Sequence, residues 1–224
     1  MPRLRDPVDF RCTRQLESLA LRQGHRFIAG CDEVGRGALL GPLYAAAVIL
    51  DPTMSIPGID DSKKLTAARR ELLAEEIRSK ALAWQVVAIT AEEVDALNVY
   101  EASRQGMLRA VKALVPPPDF ILTDAMPLRE GGQDFSIPHR AIIHGDTRSV
   151  SIAAASILAK VARDMHLAKL DGVFPQYGLA KNKGYGTRDH LTALARYGPC
   201  PEHRKSYQPV KDYLLPLFPL VSPA

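Results

Sequence analysis

Residues 27–50 read FIAGCDEVGRGALLGPLYAAAVIL, and this stretch decides what kind of sheet the chain forms. It contains two apolar runs, residues 27–31 and Leu43–Leu50, whose length and composition are typical of buried β-strands. About ten residues join the two runs, too few for a crossover helix, so we expect the strands to pair antiparallel as a hairpin. The sheet is therefore predicted to be mixed rather than purely parallel.

Apolar runs further along the chain predict three more strands, at residues 84–90, 120–123 and 141–143. Stretches with helical periodicity predict helices at residues 66–82, 91–114 (interrupted near Asn98), 149–170 and 188–197. Thr90 and Glu93 have the T-x-x-E spacing of a capping box, which marks a helix starting directly after a strand. Together these patterns predict an α/β fold with a mixed, mainly five-stranded sheet flanked by helices.

The chain has 224 residues, of which 46% are hydrophobic and 24% charged, so it is long enough for one well-packed domain. No internal repeat or long linker divides it. We predict a helical N-terminal extension over residues 1–24, an α/β domain over residues 25–172, and a small C-terminal helical region over residues 173–224 packed on the same domain. Gly- and Pro-rich stretches mark off this last region.

Composition excludes several classes of protein. The longest apolar run, Leu43–Leu50, is far shorter than the roughly 20 residues of a membrane-spanning helix. The first residues lack the apolar stretch of a secretory signal. Three cysteines, Cys12, Cys31 and Cys200, fit neither a disulfide framework nor a paired-thiolate zinc site. We therefore expect no membrane association and a reducing, cytoplasmic location.

Charge leaves a nucleic-acid partner open without requiring one. The net charge is +4, and the basic surplus is concentrated between Lys181 and Lys211. This stretch is either an ordinary solvated face or part of a nucleic-acid groove. The glycines at Gly35, Gly37 and Gly41 resemble a dinucleotide-binding loop, but the third is one position late and a strand rather than a helix follows. We therefore expect no organic cofactor.

Acidic residues follow three of the predicted strands. Asp32 and Glu33 come directly after residues 27–31, Asp124 follows residues 120–123, and Asp146 follows residues 141–143. Functional groups gather at strand ends in open α/β sheets, so these acids are expected to converge. Clustered carboxylates repel one another, and hard divalent cations such as Mg²⁺ or Mn²⁺ relieve that repulsion. A two-metal site suited to phosphodiester hydrolysis is one interpretation, and ordinary turn-forming residues are the other.

Two hexapeptides carry a family resemblance. Residues 32–37 (DEVGRG) and 182–187 (NKGYGT), in this order and at this separation, resemble the type 2 ribonucleases H, specifically the bacterial ribonuclease HII family. Further matches lie at residues 61–65, 123–125, 145–146, 153–160 and 198–203. The resemblance covers residues 26–210. Ala38 and Leu179 depart from the family pattern, and the connection over residues 129–139 is slightly long.

The resemblance implies roles for specific residues. It makes Asp32, Glu33, Asp124 and Asp146 the catalytic, metal-binding carboxylates of a site that uses Mn²⁺ or Mg²⁺. It makes the loop Gly35, Arg36 and Gly37 the reader of a ribonucleotide 2′-hydroxyl, and Tyr185 the residue that packs on the following sugar. Lys63 and Lys64 are expected to touch phosphate, although an exposed basic turn is the alternative. Serines 149, 151 and 156 either reach phosphate oxygens or bond to their own helix.

The resemblance also implies an activity and a substrate. The chain is expected to adopt a ribonuclease H-like fold and to act as a monomeric endoribonuclease on RNA/DNA hybrids. It is further expected to incise ribonucleotide-containing duplex DNA on the 5′ side of a single ribonucleotide, leaving 3′-hydroxyl and 5′-phosphate ends. The rival interpretations are a non-catalytic nucleic-acid-binding module and a type 3 ribonuclease H or other two-metal nuclease of the same fold with a different substrate preference.

Overall fold

A computed structural model describes residues 12–214 of the chain. Its strands are β1 Ile28–Val34, β2 Leu43–Leu50, β3 Ala81–Ile89, β4 Phe120–Asp124, β5 Arg129–Glu130, β6 Gln133–Asp134 and β7 His139–Ile142. Its α-helices are α1 Gln15–Arg22, α2 Ala67–Lys80, α3 Ala91–Leu97, α4 Val99–Lys112, α5 Val150–Val173, α6 Leu179–Asn182 and α7 Arg188–Tyr197. Short 3-10 helices lie at Gly145–Thr147, Pro175–Tyr177 and Val210–Tyr213.

Five of these strands form one mixed sheet in the order β3-β2-β1-β4-β7, and β5 and β6 form a separate ribbon. The predicted hairpin is confirmed, because β1 and β2 pair antiparallel with Asp32 opposite Ala46. β4 pairs parallel with β1 and with β7. The mixed five-stranded sheet is thus as predicted, with β1 at its centre.

Helices cover both faces of the sheet. Alternate residues of β2 face opposite sides: Ala47 packs in a core cluster with Met107 of α4, and Val48 packs in another with Leu73 of α2 and Leu158 of α5. All eight residues of β2 except Tyr44 are buried. This burial on both faces explains why residues 43–50 form an uninterrupted apolar run.

Gly30 of β1 allows the first turn of helix α5 to lie directly against the central strand. A Cβ atom at Gly30 would lie only 2.1 Å from the backbone carbonyl carbon of Ser151. The absence of a side chain therefore lets the first turn of α5 rest directly on β1. This close approach fixes the start of α5 relative to the end of the strand.

Capping residues define the helix boundaries that the sequence predicted. Thr90 accepts a hydrogen bond from the Glu93 amide at 3.1 Å, and the Glu93 carboxylate accepts one from the Thr90 amide at 2.9 Å, so the capping box is confirmed. Asn98 adopts φ +67° between α3 and α4 and caps α4 with its side chain. The predicted interruption near Asn98 is therefore confirmed.

Several predicted boundaries are wrong. β1 continues through Val34 instead of ending at residue 31, because small residues of β2 lie opposite Asp32 and Glu33 and leave room for their side chains. β3 begins at Ala81, so the preceding helix ends at Lys80 and not at residue 82. β7 begins two residues early, and α5 continues to Val173. The connection over residues 129–139 contains the β5–β6 ribbon, which alternation over so few residues could not predict.

Other predictions concern the ends of the chain. The N-terminal extension contains helix α1, and residues 1–11 and 215–224 lie outside the described residues. The boundaries 1–24, 25–172 and 173–224 stay predictions. Within residues 12–214, no helix is long and apolar enough to cross a membrane.

We expect Gly30→Ala to destabilise the protein by about 2 kcal/mol or more, because the added methyl group overlaps backbone that cannot retreat without shifting α5. Gly172→Ala is the matched control, because a Cβ there meets nothing within 4 Å and the position is helical. Urea unfolding measures both. A Gly30→Ala free energy of unfolding equal to wild type would contradict the close packing of α5 on β1.

Candidate active site

Three of the predicted acidic residues meet at one edge of the sheet. Asp32 belongs to β1, Asp124 ends the neighbouring parallel strand β4, and Asp146 lies in the 3-10 helix Gly145–Thr147 before α5. Each offers a carboxylate oxygen, and these oxygens all lie within 4.8 Å of one another. The parallel pairing of β1 and β4 brings the first two together, as expected for strands that end at the same edge.

A glycine turn brings Asp146 to the other two carboxylates. The Gly145 amide donates a hydrogen bond of 2.7 Å to Asp124 Oδ1, which ties the 3-10 helix to the end of β4. A Cβ atom at Gly145 would lie 2.6 Å from Ile152 Cδ1, so a larger residue would require the buried Ile152 side chain to shift. His144 precedes it in the left-handed conformation, with φ +56°. The local backbone thus dictates where Asp146 lies.

Burial makes this cluster electrostatically strained. Asp32 is only 5% exposed and Asp146 3%. Burial raises the pKa of Asp32 well above its usual range, and the nearby Glu33 and Asp124 carboxylates raise it further, while a hydrogen bond from Ser156 opposes them. Burial also raises the pKa of Asp124, against the lowering effect of the Gly145 amide. Such a group of acids is stabilised by a bound cation or by protonation.

Glu33 lies beside this cluster but faces a different partner. Its Oε1 pairs with Arg36 Nη1 at 3.2 Å, while its Oε2 is buried and has no hydrogen-bond partner among residues 12–214. Burial raises the pKa of Glu33 to about 7, and Arg36 lowers it in part. Only Asp32, Asp124 and Asp146 form the compact three-carboxylate group, but Glu33 lines the same cleft and has a free oxygen.

The two predicted phosphate-binding lysines are placed differently. Lys63 Nζ lies 3.1 Å from Asp146 Oδ2, although 80% of the Lys63 side chain is exposed. Lys64 instead pairs with Asp60 at 3.2 Å on the surface. Burial lowers the pKa of Lys63, but its hydrogen bond to Asp146 and the surrounding carboxylates outweigh that effect and raise it. Lys63 is thus the nearer of the two lysines to the acidic cluster.

A cleft of about 450 Å³ surrounds the cluster. It is lined by Asp32, Glu33, Val34, Ser62, Lys63, Asp124, Ser156, Lys160 and Tyr185. Of the three serines considered from the sequence, only Ser156 lies in this lining. Ser149 caps α5 and donates to Glu17, and the Ser151 amide also donates to Glu17. A helical sequence alone does not show which of these hydroxyls faces the cleft.

The two glycine-rich motifs pack against each other at the rim of the cleft. Gly35 has φ +94°, a conformation that other residues rarely adopt. The Leu39 amide donates 2.8 Å to the Gly184 carbonyl, and a Cβ atom at Gly37 would lie 4.0 Å from the Tyr185 ring. Tyr185 is 36% exposed and lines the cleft. The loops around Gly35–Gly37 and Tyr185 therefore form one surface beside the carboxylates.

Sequence reasoning assigned no role to three basic residues that the structure places here. Lys160 lines the cleft and pairs with Asp164 at 2.7 Å. Arg163 and Arg204 are fully buried and donate hydrogen bonds to carbonyl groups of the Gly35 loop and its continuation. The sequence carried no signal for the role of the two arginines, because burial of an arginine is exceptional and is decided by tertiary contacts.

The six histidines lie apart from the carboxylates, except for His144, which lowers the pKa of Asp124 through its proximity. His190 and His203 form a buried pair with 3.2 Å between their Nε2 atoms. His190 Nδ1 donates 3.0 Å to the Tyr185 carbonyl, so this pair supports the backbone beneath Tyr185.

Comparison with known proteins assigns the chain to a family. The family model described as Ribonuclease HII matches residues 29–210. The chain belongs to the ribonuclease HII family. A curated Ribonuclease HII of Solibacter usitatus (strain Ellin6076) is 51% identical over 204 residues, which cover 91% of this chain and 87% of the relative. Another, of Syntrophomonas wolfei, is 48% identical over 202 residues, which cover 90% of this chain and 78% of the relative.

Solved structures agree with this assignment. The crystal structure of the ribonuclease H2 from Pyrococcus horikoshii OT3 superposes with a TM-score of 0.71 at 25% identity, covering 84% of this chain and 97% of that one. The predicted ribonuclease H-like fold is therefore confirmed. As a ribonuclease HII, the protein is a type 2 ribonuclease H, a metal-dependent endonuclease that acts on RNA/DNA hybrids. Membership in this family rules out the binding-module and type 3 interpretations.

The raised carboxylate pKa values predict how stability depends on pH when no metal is present. When the pKa of a carboxyl group is higher in the folded than in the unfolded protein, the folded protein loses stability as pH rises from the lower pKa value to the higher one. For Glu33 the interval runs from its usual value of 4.5 to about 7. The pKa of Asp32 is raised in the same direction, so in EDTA the melting temperature of Asp32→Asn should gain on that of wild type as pH rises above 3.8, the usual value for aspartate.

The exposed carboxylate Glu75 provides the control, because Glu75→Gln lies on the outer face of α2 and should follow wild type at each pH. Differential scanning fluorimetry in EDTA measures all three proteins. Parallel curves for Asp32→Asn and wild type would show that the buried carboxylates do not repel one another in the folded protein.

Proposed function

We propose that this ribonuclease HII incises duplex DNA on the 5′ side of a single embedded ribonucleotide, in addition to hydrolysing the RNA strand of hybrids. The observation that carries the proposal is the packing of the Gly35–Gly37 loop against Tyr185 beside the carboxylate cleft. It joins a backbone loop that a 2′-hydroxyl can approach closely to an aromatic face that can pack on a sugar. A single ribonucleotide within a DNA strand offers both the 2′-hydroxyl that the loop would approach and the following sugar that Tyr185 would pack on.

Asp32, Glu33, Asp124 and Asp146 are the proposed catalytic and metal-binding residues. The donor set fits Mg²⁺ or Mn²⁺, because both are hard cations that prefer carboxylate oxygens. Three of the acids already converge within 4.8 Å, and Glu33 Oε2 is buried without a partner among the described residues. When bound, two divalent ions supply an activated water and stabilise the leaving oxygen, giving 3′-hydroxyl and 5′-phosphate ends.

Cationic side chains at the rim are the proposed phosphate contacts. Lys63 is 80% exposed and pairs with Asp146 of the cluster, and Arg36 is 47% exposed and pairs with the adjacent Glu33. Both can reach the solvent side of the cleft, where a duplex backbone would lie. Lys64, on the surface beside Lys63, offers a second charge further from the acids. These side chains would neutralise phosphate charge and position the strand.

The C-terminal region over residues 173–224 is proposed as the substrate-binding part of the same domain. It supplies Tyr185, and the exposed Lys181 and Arg188 flank that residue. We also retain the proposals of a monomeric, cytoplasmic enzyme that needs no organic cofactor.

Incision of a labelled DNA duplex with one ribonucleotide tests the proposed substrate. Reactions contain Mg²⁺, Mn²⁺ or EDTA, with an all-DNA duplex and an RNA/DNA hybrid as controls. We expect a metal-dependent nick only on the 5′ side of the ribonucleotide, with a 3′-hydroxyl end that a polymerase extends. Cleavage of the hybrid without incision at the single ribonucleotide would overturn the proposal and leave only the general activity.

Asp32→Asn should reduce cleavage by roughly 10²-fold or more while duplex binding is kept or strengthened. The carboxylate supplies charge to a metal site worth several kcal/mol in the transition state, and its loss also removes one anion that repels phosphate. Single-turnover cleavage and fluorescence anisotropy measure the two effects separately. Near wild-type turnover would exclude Asp32 as a metal ligand.

Tyr185→Ala should lower incision at a single ribonucleotide by roughly tenfold, in line with the 1–3 kcal/mol of an aromatic stacking contact. Its side chain is partly exposed, so the melting temperature should change little. Tyr185→Phe is the matched control because it keeps the aromatic face. A loss of activity that merely follows a loss of thermal stability would mean that Tyr185 has only a packing role.

A further inference from the structure

Arg163 is a buried arginine whose hydrogen bonds all go to backbone carbonyls of the loops at the cleft rim. It lies on α5 with no exposed surface. Its Nε donates to the Pro42 carbonyl at 3.1 Å, Nη2 to the Leu40 carbonyl at 3.4 Å, and Nη1 to the Lys183 carbonyl at 2.9 Å. The first two carbonyls continue the Gly35–Gly37 loop, and the third belongs to the turn that carries Tyr185. One guanidinium therefore joins both loops.

The surrounding backbone is shaped around this guanidinium. A Cβ atom at Gly35 would lie 2.3 Å from Arg163 Nε, so the glycine is needed there for space as well as for its positive φ. The Arg163 guanidinium carbon lies 5.5 Å from the centre of the Tyr185 ring, within the range of a cation–π contact. The side chain thus touches the loop on one side and Tyr185 on the other.

Burying the charged guanidinium of Arg163 costs free energy, which argues that this residue has a specific role. Burial lowers the pKa of Arg163 to about 10, which still leaves it protonated at neutral pH. Its three donor nitrogens reach carbonyls in three directions, a geometry that a planar guanidinium provides and a lysine ammonium does not. One of these carbonyls belongs to Lys183, a non-glycine residue in the left-handed conformation with φ +54°. Arg163 therefore helps to hold a turn that is unfavourable by itself.

We propose that Arg163 is a positioning residue that fixes the Tyr185 ring against the Gly35–Gly37 loop and so sets how strongly the enzyme responds to a ribonucleotide. This inference rests on the proposed function of that pair of elements. Arg163 acts through Tyr185 and does not reach the substrate, because the loops cover it completely. The backbone of Tyr185 is held separately by His190, so loss of Arg163 should loosen the ring and loops without unfolding the turn.

The test compares Arg163→Lys with wild type on the single-ribonucleotide duplex and on a long hybrid. We expect a roughly tenfold loss of kcat/KM on the single ribonucleotide, mostly in KM, and a smaller loss on the hybrid, which offers many cleavage positions. Arg14→Lys is the matched control, because Arg14 also donates to three carbonyls, those of Asp51, Pro52 and Met54, on residues that do not line the cleft. It should lower thermal stability without changing the preference between substrates.

A double-mutant cycle separates positioning from general packing. If Arg163 acts through Tyr185, Arg163→Lys should cause less than a threefold further loss in a Tyr185→Ala background. Independent, multiplicative losses would overturn the proposal. The proposal would also be overturned if Arg163→Lys lost kcat/KM equally on both substrates and in proportion to its loss of melting temperature, which is the behaviour expected of Arg14→Lys. If Arg163→Lys does not fold, Arg163→Gln, which keeps an amide donor without the charge, enters the same cycle.

The wild-type enzyme distinguishes failure of this inference from failure of the proposed function. If wild type does not incise at a single ribonucleotide, the proposed function fails, and the cycle is then measured on the hybrid alone. Non-additive losses there would still support Arg163 as the residue that positions Tyr185, and additive losses would overturn it. If wild type does incise but the cycle is additive, only the inference about Arg163 fails.

Discussion

Repulsion among buried carboxylates is the constraint on which the rest of the structure depends. Asp32, Asp124 and Asp146 are held within 4.8 Å although burial and the neighbouring carboxylates raise the pKa of Asp32 and of Asp124. Three backbone devices keep them there: parallel pairing of β1 and β4, the Gly145 amide bonded to Asp124, and the contact of α5 with Gly30. Each device uses backbone rather than another charge, and Lys63, which pairs with Asp146, is 80% exposed. The fold thus stores repulsion that a divalent metal relieves.

The sequence predicted the parts of the fold that depend on local pattern. The β1–β2 hairpin, the Thr90 capping box and the break at Asn98 each follow from a few neighbouring residues, and all three are present. Two of the boundary errors, those in β1 and β7, have a common cause, because both strands include polar residues at one end. Asp32 and Glu33 belong to a strand although they are polar, because hydrogen bonding to β2 outweighs the low strand propensity of acids. A prediction from the apolar pattern places the end of a strand at its last apolar residue.

The candidate site was predictable in its residues but not in its arrangement. Strand ends suggested that the acids would converge, and the family resemblance named the loop and Tyr185. What the sequence could not show is that Lys63 pairs with Asp146 while Lys64 pairs with Asp60, or that Glu33 pairs with Arg36 instead of joining the group of three. These outcomes depend on side-chain direction at adjacent positions, which tertiary packing decides. The burial of Arg163 and Arg204 could not be predicted for the same reason.

Helix α5 connects the acidic cluster to the loops at the rim of the cleft. Ser156 lines the cleft together with Asp32, and Arg163, seven residues later, bonds to the loops at the rim. Seven residues are two helical turns, so both side chains lie on one face of α5, separated along its axis by roughly 10 Å. Because α5 also rests on β1 at Gly30, the carboxylates and the two loops share one rigid support. The acidic cluster and the loops at the rim are therefore tied together twice, by α5 and by the direct continuation of β1 from Asp32 into the Gly35–Gly37 loop.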